Sequence, residues 1–145
     1  MKKTGLALAF LAWAAAASAA TSHFELAAAF EPASKPGANA AVSVTFSPTD
    51  PDVHINERPE PRLTLDPGQG ILDDKQPPAK GGAVDPETVK KVDLTKPMRF
   101  AVALRAGAPK GEQTVNASVV YFYCSDREGW CRRGNTPVEF RLTVP

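Results

Sequence analysis

Residues 115–144 read VNASVVYFYCSDREGWCRRGNTPVEFRLTV and hold both cysteines of the 145-residue chain. Each half of the stretch carries a strand pattern. In residues 138–144, Val138, Phe140, Leu142 and Val144 alternate with Glu139, Arg141 and Thr143. A period of two places one set on a buried face. Residues 115–124 begin half-polar and become apolar on both faces: Val119, Tyr121 and Tyr123 point one way, and Val120, Phe122 and Cys124 the other. A strand covered on both sides belongs in the middle of its sheet, and residues 138–144 are its natural hairpin partner. Cys124 then ends the first strand. Cys131 is expected in the connection or at the start of the return.

The same alternation recurs upstream. Phe24, Leu26, Ala28 and Phe30 share a face, as do Val42, Val44 and Phe46, then Leu63 and Leu65, then Met98, Phe100, Val102 and Leu104. Between these runs stand turn signals: Lys35-Pro36-Gly37, Pro48, Pro51, Pro59, Pro61, Asp66-Pro67-Gly68, Pro77-Pro78, Gly81-Gly82 and Pro109-Lys110-Gly111. Proline presets φ and glycine supplies positive φ, so these clusters punctuate the chain. No segment after the leader holds a helical period; the best candidate, Asp85 to Lys91, has room for a turn or two. The expected fold is all-β with about six to eight short strands, an immunoglobulin-like antiparallel β-sandwich, with a small barrel as the alternative. Residues 66–97, rich in proline and glycine, are expected to form a long loop, either functional or a disordered insertion.

The first residues read differently. Lys2 and Lys3 precede an apolar run, residues 5–17, and Ala17-Ser18-Ala19 offers small residues for cleavage. This is the layout of a secretory signal, and the run is shorter than the roughly 20 residues a spanning helix needs. The expected organisation is a signal peptide at 1–19 and one domain at 20–145, exported to the periplasm or another extracytoplasmic space, soluble and without a membrane span. The chain has 17 basic and 16 acidic residues, and losing Lys2 and Lys3 leaves 15 against 16. Such a balance carries no nucleic-acid footprint and no polybasic membrane patch. The sequon-like Asn116-Ala117-Ser118 falls inside an expected strand and is read as coincidence.

Three readings of the cysteines stay open on residues alone. Outside the cytoplasm, two cysteines form and keep a disulfide, and a structural bond from Cys124 to Cys131 would tidy one short loop. A metal site would need other soft ligands. His23, His54 and Met98 are scattered; His23, near the expected new N-terminus, would suit copper, and His54 reads as a half-buried polar residue. A redox dithiol needs a reachable sulfur and a favoured thiolate. A loop at the end of a sandwich is reachable, and Arg127, Arg132 and Arg133 bring positive charge that Asp126 and Glu128 partly cancel. Trp130 either shields the sulfur, offers a docking surface or simply packs on the loop.

The quoted tail resembles the end of the N-terminal periplasmic domain of the thiol:disulfide interchange protein DsbD and related exported domains. In that family an aromatic strand ends in cysteine, and a short loop, a second cysteine and a closing strand follow. DVHINERPEPRLTLDP, residues 52–67, is similar to the family's stretch in which a strand with His or Tyr leads through proline to a Leu-x-Leu strand. The likeness runs in order over most of the chain after the leader, and the cysteine segment is its distinctive part. It implies an immunoglobulin-like sandwich whose Cys124 and Cys131 cycle between dithiol and disulfide without a cofactor or metal. Cys131 would exchange with the partner and Cys124 would resolve. Partners would be thioredoxin-like exported proteins and a separate membrane electron carrier. The family's cysteine loop is typically one residue shorter, and its Tyr-Pro-Pro after the second cysteine is replaced here by Arg132-Arg133-Gly134. The alternative from another class is a non-enzymatic binding or accessory module with a structural disulfide.

Overall fold

The computed structural model describes residues 23–79 and 90–145. Along the chain run β1 (Phe24–Glu31), β2 (Ala40–Pro48), β3 (Val53–Ile55), β4 (Arg62–Leu65), β5 (Leu72–Asp74), β6 (Met98–Leu104), β7 (Gly111–Ser125) and β8 (Trp130–Val144). One sheet has the order β1-β2-β6-β5; in the other, β3 and β4 share one side of β7 and β8 takes the opposite side. All pairings are antiparallel. The two sheets form a β-sandwich, and residues of both make one core. Among the described residues no helix is long and apolar enough to cross a membrane. The expected signal at 1–19 lies outside the described residues. So does most of the expected helical turn at 85–91; Lys91 itself forms an antiparallel bridge to Asn56.

The alternation read from the sequence becomes the core. Val42, Val44 and Phe46 of β2, Phe100 and Val102 of β6, and Val138, Phe140, Leu142 and Val144 of β8 are all buried. Leu104, the last of its alternating set, is 38% exposed because β6 ends there at the sheet margin. β7 is central, as expected, but only one of its faces is fully covered. Val115, Ala117, Val119 and Tyr121 are buried, whereas Val120, Phe122 and Cys124 are half-exposed. Among the described residues no second layer lies over the outer face, and around Phe122 and Cys124 its cover comes from neighbouring segments such as Arg58, Pro59 and Lys91.

Two expectations need correction. The 66–97 segment is not one long loop. It contains β5, which adds to β6, and Ile71 and Leu72 are buried. Gln69 pins this strand: its Oε1 accepts from the Ile71 and Leu72 amides at 2.6 and 2.8 Å. Gln76 then closes onto β4, accepting from Leu63 N at 3.2 Å and donating to Leu63 O at 2.8 Å. On the β4 side a side-chain amide takes the place of a regular ladder, and with three residues β5 is too short to show a strand period.

The return strand is also longer than residues 138–144. β8 begins at Trp130, and residues 130–137 continue the hairpin in spite of Gly134 and Pro137. β8 is an edge strand, where proline is tolerated because no partner needs its missing N–H. Gly134 is tolerated because Tyr121 covers it. A Cβ at this position would lie 2.5 Å from two Tyr121 ring carbons. The ring cannot swing away, since it is wedged against Phe24 and Phe46 and its hydroxyl bonds the Thr136 hydroxyl at 3.0 Å. Gly134→Ala is therefore expected to lower stability by about 1–3 kcal/mol through overpacking. Urea denaturation checks this, and an unchanged midpoint would contradict the wedge.

Candidate functional site

Cys124 and Cys131 stand directly opposite each other across the β7–β8 hairpin, bonded, with Cα atoms 4.0 Å apart. Antiparallel strands approach this closely at their non-hydrogen-bonded pairs. Cys131 is thus part of the return strand, not of the connection. The turn is Asp126 to Gly129, where Gly129 N donates to Ser125 O at 2.9 Å. Gly129 has φ +70°, a left-handed conformation that glycine adopts without strain.

The two faces of this hairpin tip do different things. On the inner face, Tyr123 and Trp130 pack edge to face with ring centroids 5.6 Å apart, and His23 lies over both at 5.5 and 5.3 Å. Tyr123 also meets Phe24, which joins the tip to the core rings of Phe46 and Tyr121. Arg132 caps this stack, its guanidinium carbon 4.2 Å from the Trp130 ring centre. Burial pushes the Tyr121 hydroxyl above its ordinary range, against the hydrogen bond to Thr136. The inner face therefore anchors the tip, and the outer face carries the sulfurs.

On the outer face Cys124 is half-buried and Cys131 is exposed. His54 of β3 is the residue opposite Cys124, and Asn56 lies two residues further on the same side. Asn56 is only 7% exposed, and its Nδ2 donates to Cys124 Sγ at 3.2 Å. These residues, with Pro59, Phe122 and Lys91, line a cleft of about 620 Å³ that opens beside the disulfide. Asp126 at the turn binds Lys91 Nζ at 2.7 Å. This hydrogen bond, helped by the charge of His54, holds the Asp126 carboxyl below the usual carboxylate range.

Among the described residues, two buried polar atoms in the cleft have no hydrogen-bond partner, His54 Nδ1 and Asn56 Oδ1. His54 Nδ1 is 3.3 Å from Asp126 Oδ2, close enough for charge attraction but off the line a hydrogen bond requires. Buried polar atoms without partners are rare in folded proteins and call for an explanation.

The positive charges expected near the sulfurs are largely diverted. Arg127 pairs with Asp52 at 2.9 Å, and Arg132 sits on the Trp130 side of the strand. Arg133, opposite Phe122, stays on the sulfur face. Alternation decides this, because neighbours in a strand point to opposite faces. His54 is half-buried, as expected, whereas His23 serves as an aromatic partner of the tip. Among the described residues no three His, Cys, Asp or Glu side chains gather to hold a metal ion. Nothing in the sequence marks Asn56 as a site residue. It lies 68 residues from Cys124, and an Asn after a short apolar pair carries no local signal of a sulfur contact.

Chemically, the arrangement offers an attackable disulfide. One cysteine, Cys131, is exposed, and the sulfur of the other is held by an amide donor beside a cleft that could seat a partner. No family model, curated protein or solved structure matches this chain.

Proposed function

We propose that this chain is an exported thiol–disulfide exchange domain in which Cys124 and Cys131 alternate between disulfide and dithiol. The observation that carries the reading is the asymmetry of the bond: Cys131 is exposed on the outer face while Cys124 is half-buried and hydrogen-bonded. A bond that only staples a fold gains nothing from such presentation. Nor is this one placed to hold the sandwich together, since it joins neighbours already paired along a 15-residue strand. Closing so short a loop contributes about 2.5 kcal/mol in the chain-entropy model.

Further support comes from the strand order. With β3 and β4 counted as one interrupted strand, β1-β2-β6-β5 against β3/β4-β7-β8 follows the four-against-three order of seven-strand immunoglobulin sandwiches. We read the fold as immunoglobulin-like on that basis. The reading as a DsbD N-terminal-type domain adds the partners: thioredoxin-like exported proteins on one side and a separate membrane electron carrier on the other. It also places the domain in the periplasm, which the signal-like start favours.

The test is the reduction potential of the pair, measured by alkylation and mass across a series of redox buffers. The expected value lies between about −120 and −270 mV, the range of working oxidoreductases. A value below about −300 mV marks a structural bond and would put the accessory-module reading in first place.

A further inference from the structure

We infer that Asn56 is a positioning residue for the exchange: its side-chain amide holds Cys124 Sγ and makes that sulfur the leaving group, so that partners join Cys131 alone. The inference rests on the exchange reading and deepens it. Among the described residues, the one hydrogen bond to either sulfur comes from Asn56 Nδ2. Asn56 is itself more than nine-tenths buried, and its backbone amide is fixed to Phe122 O at 2.9 Å. The donor is therefore held in place before any reaction begins.

The chemistry is differential. A disulfide sulfur is a weak acceptor, whereas a thiolate is a charged one, and hydrogen bonds to charged groups are roughly twice as strong. Asn56 thus stabilises Cys124 more as the bond breaks than while it is intact. The partner's thiolate attacks Cys131 Sγ, and a bond forms between those two sulfurs. The Cys124–Cys131 bond breaks, and its electron pair leaves on Cys124 as a thiolate facing Asn56. A second thiolate of the dithiol partner then attacks the partner's own sulfur in the mixed disulfide and releases Cys131 as a thiolate. Both thiolates of the domain take protons. The partner loses two electrons and becomes a disulfide, and the domain gains them. In reverse, Cys131 attacks a partner disulfide and Cys124, held by Asn56, resolves it.

Charge alone does not make this choice. Among the described residues, the charged or titratable groups that line the cleft are His54 from β3, Lys91 from the bridging segment, Asp126 from the turn and Arg58 from the β3–β4 connection, and Arg133 of β8 lies on the same face opposite Phe122. Lys91 is engaged by Asp126. Asn56 distinguishes the sulfurs because it reaches only one.

Reduced glutathione is the probe. The oxidised domain is mixed with it, quenched in acid and mapped by mass. Glutathione is expected on Cys131 and not on Cys124. Asn56→Leu, which removes the donor together with its unpartnered oxygen, is expected to slow attack about tenfold. Asn56→Gln, which keeps a donor, is expected to recover most of the rate. Asn56→Asp, isosteric but without the amide donor, serves if leucine disturbs the strand and is expected to slow attack at least as much. In a Cys131→Ser background, the Cys124 thiol should titrate below the roughly 8.5 of free cysteine and rise when Asn56 is replaced by leucine. A purely structural role for Asn56 would leave that titration unmoved. Glutathione on both sulfurs, or an unchanged rate in Asn56→Leu and Asn56→Asp, overturns the inference. Glutathione chemistry that follows the expected pattern in a domain whose potential lies below about −300 mV keeps the Asn56 assignment and removes the exchange reading.

Discussion

Phe24→Ala is expected to destabilise the domain by about 3–5 kcal/mol. Phe24 is 1% exposed and opens β1 at the end of the sandwich that carries the disulfide. Its ring meets Phe46, Tyr121 and Tyr123 edge to face, with centroids 6.4, 5.7 and 5.6 Å away and planes at 85° to 87°. Such pairs add to simple area burial because the ring edge and ring face carry opposite partial charge. Truncation would leave a cavity among rigid rings that cannot collapse into it. Domains of this size typically hold about 5–15 kcal/mol in total, so the variant stands near the edge of folding. At roughly 4 °C per kcal/mol, thermal unfolding should shift down by about 12–20 °C. Leu104→Ala, at a residue already 38% exposed, is the contrasting control and should cost less than about 1 kcal/mol. Similar losses at the two positions would mean that the ring cluster is not the tight part of the core.

The second large effect is a difference between the two cysteines. With Cys124→Ser, Cys131 keeps its exposed thiol and lacks a resolving neighbour, so mixed disulfides with thioredoxin-like exported proteins should accumulate. With Cys131→Ser, the remaining cysteine is half-buried beside His54 and its sulfur is held by Asn56, and adduct formation should fall by more than about a thousandfold. Both variants lose the same disulfide, so the comparison is free of its contribution to stability. Non-reducing electrophoresis after acid trapping reads the adducts. Equal trapping by both variants would remove the assigned roles, and no adduct from either would remove the exchange reading.

The aromatic cluster links these two expectations. Tyr123 and Trp130 lie on the inner face of the same strand ends that carry Cys124 and Cys131 on the outer face. Anchoring one face holds the other in a fixed orientation, so the sulfurs are presented from a rigid tip. A site held on strands is more finely positioned than one on a free loop.

Much of this molecule follows from side-chain order along the chain. A period of two in residues 24–30, 42–46, 98–104 and 138–144 determined that these segments are strands and which face of each turns inward, because alternate side chains of a strand leave on opposite faces whatever else the chain does. How deeply each inward residue is buried, from Phe24 in the core to Leu26, Ala28, Phe30 and Met98 at its margin, was not legible there. Two cysteines separated by a turn determined that the disulfide would lie at a hairpin end. Tertiary structure decided the rest. It placed Cys131 on the strand, turned Arg132 onto Trp130 and Arg127 onto Asp52, and drew β5 out of a proline-rich segment by means of Gln69 and Gln76. It also brought Asn56 to Cys124 across 68 residues. Register between strands and contact across long separations depend on how whole sheets settle against each other. No local pattern of residue types encodes that outcome.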